Sequence, residues 1–250
     1  IGDRGFYYNT GLTKVNMPST LTYVGRWSFY NDRSLTEITI PDAVKEIKEY
    51  AFYGCYKAET LWLGKSLEII GNYAFKNCAG IEELVIPDAV MEIGEHAFGG
   101  TQGYTGDKEM NLKKVTLGKN VKVIKDSAFG HCHNLEEVVM NEGLERLERA
   151  VFAYCNLKEL ILPETISFIG SFACPIVEDE FNGLPKSNPN LKQVVVRADD
   201  TSKIKFDYIK DVFYDFEQTA GSETRIVPAP DPKKVYLWVP NGTGSEYLNA

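Results

Sequence analysis

The 250-residue chain is expected to wind as a repeat solenoid, a right-handed superhelix of short parallel strands and irregular or 3₁₀ return segments, with about seven to eight coils and a C-terminal cap. Three observations lead there. An Ala-Phe pair recurs at Ala51-Phe52, Ala74-Phe75, Ala97-Phe98 and Ala128-Phe129, with relatives at Ser28-Phe29, Val151-Phe152 and Ala173-Cys174. From residue 29 to residue 174 the second members stand 23, 23, 23, 31, 23 and 22 apart, one period near 23 interrupted by an eight-residue insertion. Around each pair the other apolar residues recur in step, so a unit reads roughly Leu-x-x-Ile-x-Ile-Pro-x-x-Val-x-x-Ile-Gly-x-x-Ala-Phe-x-x-Cys. Self-similarity at such a period marks units that bury their apolar faces only by stacking.

Each element follows from its residues. The alternating segment, as in Ile38/Ile40, Leu84/Ile86, Val115/Leu117, Val138/Met140 and Leu160/Leu162, has period two and reads as a short strand with both apolar side chains on one side. Leu12, Val15 and Met17 begin the series, and Leu191, Val194 and Val196 restart it. Pro18, Pro41, Pro87 and Pro163, replaced by Gly64, Gly118 and Asn141, stop the strand and turn the chain. The return half carries apolar residues three apart, as at Val44 and Ile47, too short for a long helix and suited to 3₁₀ or irregular coil. Gly25, Gly71, Gly94 and Gly170 are expected to supply positive φ there. Coils stacked at about 4.8 Å then make a curved rod roughly 40 Å long.

The repeats are expected to fill a solenoid domain over residues 1–196, starting near residue 12, with insertions near 99–111 and 174–190. Residues 197–250 lose the pattern and are expected to form an irregular cap with a terminal strand, shielding the last coil. The recurring text, as in Ile40–Cys55, resembles the bacterial surface-antigen (BspA-like) leucine-rich repeat family over about residues 12 to 196. Leu237–Tyr247 is similar to the strand, loop and Tyr-bearing turn that finish such arrays. The resemblance implies a leucine-rich-repeat protein, secreted or cell-anchored, of bacteria living on hosts, used for adhesion or recognition rather than chemistry.

Composition narrows the function further. With 27 Lys and Arg against 35 Asp and Glu, the net charge of −8 argues against nucleic acid or an anionic membrane surface as partner. No apolar run reaches the roughly 18 to 20 residues of a membrane helix. The chain starts at Ile1 without a signal pattern and reads as a mature form or fragment, so an extracellular or bacterial cell-surface location rests on the resemblance.

Tests for chemistry return little. Cys55, Cys78, Cys132 and Cys155 share one repeat position, with Thr101 between them, and are expected as a buried, reduced internal column. His131-Cys132-His133 is the one cluster of ligand types; the repeat turns Cys132 inward and His131 outward, and no second pair at zinc spacing supports a metal site. His96, before Ala97, reads as plain surface. The carboxylates Glu37, Glu83, Glu137 and Glu159 recur at one outward position, no Gly-x-Ser-x-Gly elbow is present, and neither a catalytic residue nor a cofactor is expected.

What remains is surface. The residue between the two buried strand positions projects outward, giving Asn16, Thr39, Trp62, Val85, Thr116, Val139, Ile161 and Val195 on successive coils. Trp62, Val85, Val139 and Ile161, rimmed by Glu83 and Glu137, are the expected binding residues, with Tyr104 on the inserted loop beside them. The expected partner is a host or microbial surface protein. A glycan stacked on Trp62, Tyr104 or Trp238, or a spacer role within a larger surface protein, are the alternatives.

Overall fold

Each apolar position of the repeat becomes a column. In the computed structural model, which describes residues 1–100, 110–174, 188–191, 193–197, 204–206, 216–218 and 235–238, seven phenylalanine rings stack along the axis. Phe6, Phe29, Phe52, Phe75, Phe98, Phe129 and Phe152 follow one another at centroid separations of 5.0, 4.8, 5.3, 5.3, 5.6 and 5.8 Å, with ring planes within 9° of parallel. All but Phe6 are fully buried, each worth on the order of 2–3 kcal/mol of transfer free energy. The array therefore begins earlier than the repeat text suggests, because Phe6 lies 23 residues before Phe29 and caps its ring.

The strands in chain order are β1 (Tyr23–Val24), β2 (Glu37–Thr39), β3 (Glu46–Ile47), β4 (Thr60–Trp62), β5 (Ile69–Ile70), β6 (Glu83–Val85), β7 (Glu92–Ile93), β8 (Lys114–Thr116), β9 (Val123–Ile124), β10 (Glu137–Val139), β11 (Arg146–Leu147), β12 (Glu159–Leu162), β13 (Phe168–Ile169), β14 (Gln193–Val196), β15 (Lys205–Phe206), β16 (Phe216–Gln218) and β17 (Val235–Trp238). All pairing is parallel. The alternating segments from Glu37 onward form the face strands, as their period requires. The segment holding Leu12, Val15 and Met17 forms none, and these residues stay only partly buried.

The return half is irregular rather than 3₁₀ among the described residues, within what was expected, with one addition. It contains a second strand of two residues, and these short strands join into one sheet in the order β1-β3-β5-β7-β9-β11-β13-β15. Turns follow instead of a 3₁₀ helix. Stacking supplies the reason, since a backbone in register with its neighbour satisfies its amides between coils: Gly71 N–H donates to Ile47 O at 2.8 Å and Gly94 N–H to Ile70 O at 2.9 Å. The sheet runs past residue 197 through β15, and β17 lies beside β14.

The turns correct the expectation for the glycines. Positive φ falls on the residue just before the Ala-Phe pair, at Trp27 (52°), Tyr50 (57°), Tyr73 (59°), His96 (50°), Ser127 (52°), Ala150 (55°) and Phe172 (55°). It falls again before the cysteine position, at Asn31 (59°), Gly54 (73°), Asn77 (63°), His131 (60°) and Tyr154 (58°). Non-glycine residues hold this conformation at a cost of about 1–2 kcal/mol each, offset by intercoil bonds such as Tyr73 N–H to Glu95 O at 2.7 Å. Gly71 and its equivalents serve close approach instead, for a Cβ there would stand 2.8 Å from Glu49 N.

The cysteine column is as expected among the described residues, and Thr101 lies outside them. Cys55, Cys78, Cys132, Cys155 and Cys174 are all free and buried. The first four donate to the carbonyls of Phe29, Phe52, Phe98 and Phe129 at 3.2–3.3 Å, one coil back. Burial pushes the Cys132 thiol up to about 12, so the thiolate is suppressed.

Candidate binding face

The outward side of the face strands is built by register. Thr39 stands beside Trp62; Val85, Thr116 and Val139 follow one another; Ile161 stands beside Val195. Trp62, Val85 and Val139 are 59%, 68% and 40% exposed, while Ile161 is half-buried. The flanking row carries alternating charge: Lys14 pairs with Glu37 at 3.0 Å and Lys114 with Glu137 at 2.7 Å. The Lys14 ammonium and the Thr39 hydroxyl hold the Glu37 carboxyl below its usual range. Glu83 and Glu137 are exposed at this rim. Tyr104, with the rest of the insertion from 101 to 109, lies outside the described residues, as do most of the 174–190 stretch and of the cap.

The face is not one continuous ladder. Its strands form three groups, β2-β4, β6-β8-β10 and β12-β14-β17-β16, so pairing lapses between β4 and β6 and between β10 and β12 while the return sheet runs on. The bond that leads into each face pair shows the same thing. It measures 2.9 Å at Glu59 N–H to Thr36 O, 2.7 Å at Lys113 N–H to Glu82 O and 3.0 Å at Glu136 N–H to Lys113 O, but 3.4 Å at Lys158 N–H to Glu136 O. No equivalent bond joins Glu82 to Glu59 among the described residues. Trp62 and Val85 therefore flank one opening, and Val139 and Ile161 the other.

At the second opening the coil is one residue short, with five steps from Phe152 to Leu157 where six separate Phe129 from Leu135. A groove of about 240 Å³ lies there. Val138, Val139, Met140, Ile161 and Pro163 give it apolar walls. Glu136, Glu137, Glu142 and Glu159 bring four carboxylates, of which Glu136 pairs with Lys158 at 2.5 Å, Glu137 with Lys114 at 2.7 Å and Glu142 with Arg197 at 3.0 Å.

On the return side the structure reveals rings that the strand-centred reading missed. Tyr7, Tyr30 and Tyr53 stack at 5.3 and 4.9 Å, and Trp27, Tyr50, Tyr73 and His96 at 6.1, 4.7 and 4.9 Å. Their recurrence every 23 residues was the available signal. His96 is thus half-buried in a ring stack rather than plain surface, and burial together with the Lys76 charge lowers its pKa. His131, expected outward, is half-buried against Tyr154 at 4.5 Å, and burial with the neighbouring His133 lowers it to about 4. Rings stacked on one another present edges rather than faces, which removes the platform a sugar needs. Among the described residues, no group of three or more His, Cys, Asp or Glu could hold a metal ion.

A family model described as BspA type Leucine rich repeat region (6 copies) matches residues 1–105 and 107–175. No curated protein matches the chain. Among solved structures, a leucine-rich repeat protein from Bacteroides ovatus is similar at a TM-score of 0.64 and 19% identity, over 94% of this chain and 57% of that one. This chain therefore spans little more than half of that protein. A leucine-rich repeat protein of T. pallidum is similar at a TM-score of 0.51 and 27% identity, over 62% of this chain and 69% of that one.

Proposed function

The chain belongs to the BspA-type leucine-rich repeat family, and on that premise we propose that it is a non-enzymatic recognition module, extracellular or on a bacterial cell surface, that binds a host or microbial protein through its strand face. The observation that carries this reading is the row of large apolar side chains held outward on a rigid frame, with Trp62, Val85 and Val139 exposed although burial was available one position away. Apolar patches rimmed by charge are typical of protein interfaces. Binding without chemistry is the mechanism: the stacked coils fix the side chains before any partner arrives, so little ordering entropy opposes association.

One observation favours a second reading. Trp62 is exposed and stacks on no other ring among the described residues, and a sugar could lie on it. Surface plasmon resonance against purified host and bacterial surface proteins, run beside a glycan array, separates the two. A protein hit should weaken at least tenfold in Trp62→Ala and Val85→Ala with unchanged thermal midpoints. Binding that survives both substitutions removes the strand face as the site, and binding by glycans alone replaces the protein reading with the sugar one.

A further inference from the structure

We propose that the groove between β10 and β12 is an anchor site for one aliphatic side chain of leucine size, carried by an extended segment of the protein partner. This rests on the strand-face reading and assigns the chemistry of one position on that face.

The opening uncovers the core. At the first inward position of the face strands, Ile38, Leu84, Val115 and Leu160 are at most 2% exposed. Val138, at that position in β10, is only partly buried, and so is Met140 at the next inward position, where Ile40, Ile86 and Leu162 are closed off. Both line the groove, so what they expose is core surface reached through the gap. Leu61 in β4 is likewise only partly buried beside the other lapse in pairing, which ties the exposure to the missing ladder. Apolar atoms that fill such a space displace water and restore the contacts a covering strand makes elsewhere. The volume of about 240 Å³, below the roughly 300 Å³ at which small-molecule sites begin, suits one side chain.

The rim selects an aliphatic group over a charged one. Glu136, Glu137 and Glu142 are occupied by Lys158, Lys114 and Arg197, and Glu159 is engaged as well. A cation or an anion entering the groove would lose water and find its counter-charges already paired, whereas an aliphatic side chain sheds water at no such cost. The Lys158–Glu136 and Arg197–Glu142 pairs bracket Val138–Met140 in sequence, and both cross from the β10 coil to a later one. Paired polar groups around an apolar centre are the arrangement of an interface hot spot. A sugar would find no aromatic ring among the described lining residues. Because β10 and β12 do not pair, their facing edges also offer backbone bonds to an extended chain.

The test is a methyl NMR titration of the full chain with acetyl-Ser-Thr-Leu-Thr-Ser-amide, beside the same peptide with Ala, Lys or Glu at its centre. Saturable shifts centred on Val138, Val139, Met140 and Ile161 are expected with the leucine peptide, at millimolar concentration, and at least fivefold weaker binding with each of the others. Raising salt from about 50 to 300 mM should leave the leucine peptide's affinity unchanged, since no charge is read. Val139→Ser/Ile161→Ser should weaken it at least fivefold, as should Val139→Ser alone in part, at an exposed position that the fold tolerates; Trp62→Ala should have no effect. The inference is overturned by the absence of saturable shifts at tens of millimolar peptide, by an equal response to the lysine or alanine peptide, or by indifference to the double substitution. Should a protein partner bind in a Trp62-dependent way while the leucine peptide leaves the groove untouched, the anchor site fails and the strand-face reading stands. If no protein depends on the face at all, the wider reading fails, and the anchor site with it.

Discussion

Replacing Asp32 by Asn should stabilise the protein, and only above mildly acidic pH. Asp32 sits in the column later occupied by cysteines, with no accessible surface. Its Oδ1 accepts the Asn9 amide at 2.7 Å, and its Oδ2 is buried without a partner among the described residues. Burial raises the carboxyl from 3.8 to about 6, only partly opposed by the Asn9 amide. A group raised in the fold stabilises it fully below the unfolded value of 3.8, and this contribution is lost as pH rises through about 6. Taken at face value, the shift corresponds to about 3 kcal/mol at neutral pH. Relaxation and polarisation around the carboxyl act as a higher effective dielectric and reduce the figure to about 1–2 kcal/mol.

Asparagine fits the slot without a new orphan. In the same column Asn188 Nδ2 donates to Phe152 O at 2.8 Å and its Oδ1 accepts the Leu157 amide at 3.1 Å. At position 32 the corresponding carbonyl is that of Phe6. Urea unfolding of both proteins at pH 7.5 and pH 3.5 measures the effect. A gain of about 1–2 kcal/mol at pH 7.5 that vanishes at pH 3.5 is expected. An equal difference at both pH values, or a loss at pH 7.5, would refute the electrostatic account of Asp32.

Three further outcomes follow from the coils. Phe75→Ala removes a ring held between neighbours at 5.3 Å on both sides and should cost about 3–5 kcal/mol, read as a lowered thermal midpoint; a loss below about 1 kcal/mol would mean the column is not a packed core. Gly64→Ala places a Cβ 2.2 Å from the Pro41 carbonyl oxygen, a backbone atom that moves only with its coil, and should cost about 2 kcal/mol or more in urea, whereas Gly2→Ala, with nothing within 4 Å, should be neutral. His131 is depressed from 6.5 to about 4, so its contribution is present above 6.5 and is lost as pH falls toward 4. After discounting for partial exposure this is about 1–2 kcal/mol. His131→Asn, which keeps a residue tolerant of positive φ, should flatten that part of the pH profile in circular-dichroism melts.

Much of this architecture is written in residue identity, because every coil repeats one solution. Phe29 through Phe152 can be placed in a single column from spacing alone, and Val138 or Leu160 assigned to a strand from alternation. The first half-coil escapes the Ala-Phe text because Gly5 precedes Phe6 there, although the spacing of 23 to Phe29 was legible. Positive φ was assigned to Gly71 when it lies at Tyr73, because intercoil hydrogen bonds override the preference of the single residue. The candidate site was legible as a set of exposed positions. That Trp62 and Val85, and likewise Val139 and Ile161, face each other across unpaired strands was not, since a lapse of pairing depends on intercoil distances that no residue type encodes. The shortened step before Leu157 is the one local hint of it.

The uninterrupted return sheet has a consequence at the level of the gene. Each coil meets the next through the same pattern of bonds, so an in-frame loss or gain of 23 codons restores the register on both sides of the edit. Where the opposite ladder is already parted, such an edit breaks and remakes the return-side pairing and its turn bonds but no face-strand ladder. The junctions after β4 and after β10 are therefore the places where descendants of this array can be lengthened or trimmed with the least damage to what remains.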